Sequence, residues 1–171
     1  MMILTSIEVG KSEPVVTEPV AGPPTAAEPT KKVVWFVRHG QSTANVVGHG
    51  AHTDPTHRDA LLTDLGIAQA TSLQEVVHTW HPDHIIISPL RRAIQTACYA
   101  FSNADTVPWT VNPLCTEKWS ECEENKGHRL SVLRQDVTLL ELPMFTGNQW
   151  STSHDLECEW WMIANDKSRY K

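Results

Sequence analysis

The sequence has no surplus of positive charge: 14 Lys and Arg stand against 20 Asp and Glu, for a net charge of -6 over 171 residues. Nucleic-acid partners reward clustered cations. A DNA or RNA partner is therefore not expected, and any anion site must be local rather than a surface-wide field. No stretch approaches the roughly twenty apolar residues of a membrane span, so no membrane partner is expected either. The start lacks a basic n-region, and Glu8 cuts its apolar run short of a signal-peptide core. Glu13, Glu18 and Glu28 follow within an opening that a transit peptide would keep poor in acids. A cytoplasmic location is what these absences leave. Cys98, Cys115, Cys122 and Cys158 form no CxxC pair, which argues against a zinc ribbon and a dense disulfide framework. They are expected to be reduced, partly buried thiols. There is no internal repeat.

What remains is a globular composition, 40% hydrophobic and 20% charged, with a length that allows one ordinary domain. Residues 1–30 hold Pro14, Pro19, Pro23, Pro24 and Pro29. Proline fixes φ and removes a backbone donor, so this segment is expected to be a disordered tail, a spacer or a partner-binding arm, with order beginning at Lys31. The domain is then 31–171. Val33-Val34-Trp35-Phe36-Val37 reads as a strand buried on both faces. Residues 41–60 read as a polar surface loop. Thr63 caps a helix reaching about Trp80, with Ile67, Ala70, Leu73, Val77 and Trp80 at helical spacing.

His81-Pro82-Asp83 breaks that helix, and Ile85-Ile86-Ile87 reads as a second buried strand. Ser88 at the cap and Pro89 at the first helical position start the next helix. Its stripe is Leu90, Ile94, Ala97, Cys98 and Phe101. Residues 107–111 supply a third strand. The alternation predicts an α/β fold on a parallel sheet. Beyond residue 118 one more short helix is expected through Leu130, Leu133, Val137 and Leu140, and after Pro143 no strand is predicted.

The first strand ends in Arg38-His39-Gly40; the second ends in Ser88, closely followed by Arg91-Arg92. Ligands of parallel α/β sheets gather beyond the carboxyl ends of the strands. Both segments thus bring cations to one side of the sheet. Arg91 and Arg92 fall in the first turn of a helix, where the macrodipole repels positive charge by about 0.3–1 kcal/mol. A phosphate would resolve that conflict, because it accepts both from helix N-terminal amides and from guanidinium groups. For Arg91 the expected state is solvation or pairing with carboxylates; Arg92 is the candidate clamp. His39 beside these cations is expected to be neutral. If one ring nitrogen donates to a backbone carbonyl, the other is left with its lone pair as a nucleophile.

Arg38-His39-Gly40-Gln41-Ser42, with Asn45 after it, resembles the RHG signature of the histidine phosphatase superfamily, the phosphoglycerate mutase-like proteins. Asp59-Ala60-Leu61-Leu62-Thr63, then Gly66, Gln69 and Ala70, resembles the family's segment after its first loop. Ser88-Pro89-Leu90-Arg91-Arg92-Ala93-Ile94-Gln95-Thr96-Ala97 resembles its second signature. The matches run over residues 32–118. The resemblance implies a three-layer α/β/α sandwich with a mostly parallel sheet. It makes His39 the phosphorylated nucleophile and Arg38 and Arg92 phosphate clamps, with Asn45 and Ser42 adding contacts. Glu117 would protonate the leaving oxygen and then activate water, in a stretch that also holds Glu121, Glu123 and Glu124.

The sequence departs from the family late in the chain, where a second histidine should follow another buried strand. His128 sits in a charged loop, and Gln149-Trp150-Ser151-Thr152-Ser153 before His154 is not apolar. The expectation is a chain that ends before that strand, as a fragment or a degenerate relative. Losing one pocket donor should weaken transition-state stabilisation by ~2–4 kcal/mol. His49, His52, Asp54, His57 and Asp59 form a second cluster, but their spacing matches no familiar zinc pattern. The expected activity is phosphomonoester hydrolysis without metal or organic cofactor, on a small phosphorylated substrate or a phosphoprotein. Thr43-Ala44 stands where the mutases of the family place an aromatic residue before the Asn, which ranks phosphatase above mutase. The rival from another class is a non-catalytic phosphate-binding module.

Overall fold

A computed structural model describes residues 2–8, 31–104, 106–117, 122–142, 145, 150–152, 157, 159 and 160. In chain order it contains β1 (Met2–Glu8), β2 (Lys31–Val37), α1 (Thr43–Val47), α2 (Asp64–Ser72), α3 (Gln74–Val77), β3 (His84–Ile87), α4 (Arg91–Ala100), β4 (Trp109–Val111), α5 (Leu130–Leu133), α6 (Val137–Leu140) and β5 (Trp150–Ser151). The fold is α/β, and the five strands form one sheet in the order β2-β1-β3-β4-β5.

Two expectations about the sheet need correction. The opening residues are not all a structureless tail: Met2–Glu8 is a strand pairing antiparallel with both β2 and β3. Its short apolar run precedes every proline of the segment, so it can join a ladder that the later prolines would interrupt. Residues 9–30, where the tail expectation chiefly fell, lie outside the described residues. The sheet is mostly parallel, as expected: β2, β3, β4 and β5 share one direction, and β1 alone runs against them. Finally, β2 is not buried on both faces, since Val34 is 43% and Phe36 66% exposed. It lies at one end of the strand order, where one of its faces receives less cover than a central strand would.

The register decides where the site forms. Val37 of β2 and Ile87 of β3 are both Cα partners of Met2. The two strands therefore run in the same direction and finish at the same edge. They are not adjacent but one strand apart, with β1 between them, about 10 Å at the usual spacing. Something long must reach across that gap.

That reach comes from α4, the most buried helix, with Arg92 through Cys98 and Ala100 all buried. Ile94, Ala97, Cys98 and Phe101 pack with Ile85, Ile87, Trp109 and Val111 of the sheet in the main core. The helix begins later than expected: Leu90 is its N-cap, and no side chain of its own strand caps it. Asp59, arriving from the loop, accepts from the Arg91 amide at 2.8 Å instead.

Thr63 caps α2 as predicted, accepting from the Gly66 amide. The long helix breaks at Leu73 into α2 and α3, however, and Trp80 beyond it stacks on Trp35 of β2 with centroids 5.3 Å apart. The expected late helix is likewise two short ones, because Asp136 turns the chain and caps α6 through the Thr138 amide. The polar loop 41–60 carries α1 and two short 3-10 turns. β5 appears where no strand was expected, held by main-chain pairing to β4 rather than by apolar content.

Candidate active site

Val37 is the last residue of β2, and the chain then turns through Arg38, His39 and Gly40 under unusually close constraint. A Cβ on Gly40 would overlap the carbonyl of Gly66, and a Cβ on Gly66 would overlap that of Gln41. Two glycines thus let the strand-end loop lie directly on the first turn of α2. Gly40 N–H donates to Thr96 Oγ1 at 3.1 Å, and that hydroxyl donates to Arg92 O at 2.7 Å. The loop is therefore tied to α4 one turn beyond Arg92. Gln41 is fastened too, its amide donating to Gln69 Oε1 and its carbonyl accepting from Thr63 N–H.

This fastening orients His39. Its Nδ1 lies 2.6 Å from Gly40 O. A carbonyl can only accept, so Nδ1 carries the proton and Nε2 keeps its lone pair. The imidazole is held neutral: burial lowers its pKa to about 4, the Gly40 hydrogen bond opposes that, and the charge of Arg92 lowers it further.

Around His39 a cleft of about 240 Å³ is lined by Arg38, Ser42, Asn45, His49, His52, Arg92, Glu117 and Glu124, among others. Arg38, His39, Ser42, Asn45, Arg92 and Glu117, the residues that the resemblance singled out, all line this one cleft. Ser42 and Asn45 also cap each other, Asn45 Oδ1 accepting from Ser42 N–H and Ser42 Oγ from Asn45 N–H. The cap engages the Asn45 oxygen, and Asn45 also lines the cleft. Arg38 is exposed on the rim. Arg92 is only 2% exposed. Its guanidinium donates to Glu124 O at 2.6 Å, Asn125 Oδ1 at 2.7 Å and Glu117 Oε2 at 3.2 Å.

Arg91, one residue earlier, is the contrast. It donates to Asp59 O and Asp136 Oδ2, and it does not line the cleft. Its expected pairing with carboxylates holds. Asp59, which supports it, is fully buried with φ 48°. Burial raises the Asp59 pKa to about 6 against the pull of the Arg91 amide and charge.

His128, the late histidine among the described residues, does not line the cleft. His128 lies elsewhere, half-buried, with its pKa lowered by burial and then by Arg91 and Arg58. Its carbonyl accepts from Trp160 Nε1, and the Trp160 ring fills the space a side chain on Gly127 would need. His154 lies outside the described residues. Sequence reasoning missed Thr96, Asn125 and the cleft position of Glu124, all of which act through non-local contacts. Of the loop cluster, only His49 and His52 face the cleft. Among the described residues no helix is long and apolar enough to cross a membrane.

Residues 34–135 match the histidine phosphatase superfamily (branch 1). The chain belongs to that superfamily. It is 34% identical over 96 residues to an adenosylcobalamin/alpha-ribazole phosphatase of Salmonella typhi, covering 56% of this chain and 45% of that protein. It is 36% identical over 93 residues to a phosphoglycerate mutase-like protein of Arabidopsis thaliana, covering 47% and 34% respectively. A probable phosphatase of Schizosaccharomyces pombe is 36% identical over 74 residues, 42% of this chain and 33% of the relative. The chain thus spans less than half the length of these curated relatives.

Proposed function

We propose that this chain is a phosphomonoester hydrolase that passes the phosphoryl group through Nε2 of His39. The observation that carries the reading is the commitment of His39 Nδ1 to Gly40 O in a cleft shared with Arg38, Arg92 and Glu117. Nε2 attacks phosphorus while the bond to the leaving oxygen breaks, and Glu117 gives that oxygen a proton. Arg38, Arg92 and the Asn45 amide hold the equatorial oxygens, on which charge is spread in the transition state. Glu117, now a carboxylate, takes a proton from water, whose oxygen displaces Nε2 from phosphorus. Phosphate leaves, and His39 returns to its neutral state.

The substrate class is a phosphomonoester of a small molecule or of a phosphoprotein, in keeping with the phosphatase names of two of the relatives. Phosphoglycerate mutase-type transfer ranks second, because Thr43-Ala44 leaves the stretch before Asn45 without an aromatic side chain. The buried thiols Cys98 and Cys115 suit a reducing, cytoplasmic setting.

The rival reading is a non-catalytic phosphate-binding module, which would keep Arg38 and Arg92 in the cleft without turnover. A chromogenic phosphomonoester separates the readings. Turnover that falls at least ~10³-fold in His39→Ala supports the enzyme. Turnover indifferent to that change removes it. Protection by inorganic phosphate against heat, without turnover, favours the module.

A further inference from the structure

On the wall of the cleft formed by residues 48–52 and 122–125, three side chains that catalysis does not use come together. One ligand atom each from His52, Cys122 and Glu124 lies within 4.8 Å of the other two. His52 Nδ1 is 2.6 Å from Glu124 Oε1, and the His49 ring meets His52 edge-on. The other carboxylate oxygen, Glu124 Oε2, is buried with no hydrogen-bond partner among the described residues. A buried carboxylate oxygen left in that state is costly and calls for an occupant.

We propose that His52, Cys122 and Glu124 form a binding site for a transition-metal dication, Zn²⁺ by the chemistry of its donors. Imidazole nitrogen, thiolate sulfur and carboxylate oxygen together are a borderline-soft set, unlike the all-oxygen shells of Mg²⁺ and Ca²⁺. Bonds of about 2.0–2.3 Å in a tetrahedron set the donors ~3.5 Å apart. The observed spread needs only small adjustments: the sulfur closes in, and the His52–Glu124 pair opens by about 1 Å as it loses its shared proton. Glu124 Oε2 then gains a partner, either as the ligand or beside it. Thiolate, carboxylate and dication sum to no net charge, which suits a half-buried place.

Three protein donors leave a fourth position, and His52 and Glu124 both line the phosphate cleft. Glu124 also accepts from Arg92 through its carbonyl, so the metal would sit one residue from the clamp. The site is discontinuous in sequence, separated by some seventy residues between His52 and Cys122. That separation is why spacing rules did not find it.

The test uses the full-length chain, stripped with a chelator and titrated with Co²⁺ alone. One equivalent should produce a thiolate-to-cobalt charge-transfer band in the near ultraviolet, bleached by added Zn²⁺. Cys122→Ser should abolish the band. His52→Gln, which retains the thiol and tests the site even if the serine variant folds poorly, should weaken Co²⁺ binding at least tenfold. A parent chain without the band, or unaltered affinity in His52→Gln, would overturn the proposal. The spectrum does not depend on turnover, so an active chain without the band keeps the phosphatase reading and loses only the metal.

Discussion

The two walls of the cleft are built on different principles. One wall, from Arg38 through Asn45 and the first turn of α4, is fixed by backbone. Two glycines in contact, a threonine bridging Gly40 to Arg92, and a reciprocal cap leave His39 a single tautomer and orientation. The other wall, residues 117 and 122–125, meets the cleft through side chains and one carbonyl, and Glu117 is 48% exposed there. The first wall can hold a side chain to within the tolerance that chemistry demands. The second resembles a surface that adapts to what binds.

That contrast is sharpest at α4, where Arg91 and Arg92 share one helix turn but only Arg92 lines the cleft. Arg92→Ala should cut kcat/KM for a phosphomonoester by ~10²–10³-fold, by comparison with loss of an oxyanion donor. It should also destabilise the fold, since the Glu124 carbonyl and the Asn125 oxygen lose a buried donor, at about 1–3 kcal/mol. Arg91→Ala should leave kcat/KM within about twofold while destabilising by ~3 kcal/mol, because Asp59 is then a buried charge without its partner. Equal kinetic losses in the two variants would erase the distinction between them.

Glu117→Gln comes next. A general acid–base group contributes ~10²-fold or more to turnover, whereas an exposed ion pair adds at most about 1 kcal/mol to stability. The expected outcome is a large fall in kcat with an unchanged urea midpoint. Gly66→Ala probes the fixed wall, where the added methyl displaces the Gln41 carbonyl. A loss of ~1–3 kcal/mol in urea unfolding is expected.

The smallest effect concerns pH. His39 has a folded pKa of about 4 against an ordinary 6.5, so the unfolded chain binds more protons between those values and stability rises with pH there. Asp59 has a folded pKa of about 6 against 3.8, so the folded chain binds more protons between them and stability falls with pH there. Across pH 4–6 the two slopes oppose each other. Asp59→Asn keeps an acceptor for the Arg91 amide and removes the falling slope. Urea midpoints of that variant should climb more steeply from pH 4 to 6 than those of the parent.

The same contrast explains what could be read from the residues alone. Strand ends, caps and the first turn of α4 depend on local chemistry, so Arg38, His39, Ser42, Asn45, Arg92 and Glu117 were legible and do share a cleft. β1 was not, because seven residues ahead of a proline-rich stretch carry no local mark of their partners. Main-chain pairing with β2 and β3 supplies that mark only in three dimensions. The split of the long helix at Leu73 was equally hidden, for the hydrophobic period continues through it. Asn125, Thr96 and Glu124 acquire meaning only from contacts made 25 or more residues away in sequence, where neither period nor motif reaches.

The reading of the fixed wall rests on phosphate forming a bond to one ring nitrogen. Rapid quenching of the full-length chain with a phosphomonoester, followed by peptide mass analysis under alkaline conditions that preserve phosphohistidine, tests it directly. Phosphate on the peptide containing His39, absent from His39→Ala, is the predicted result. Turnover accompanied by no phosphorylation at that residue would contradict it.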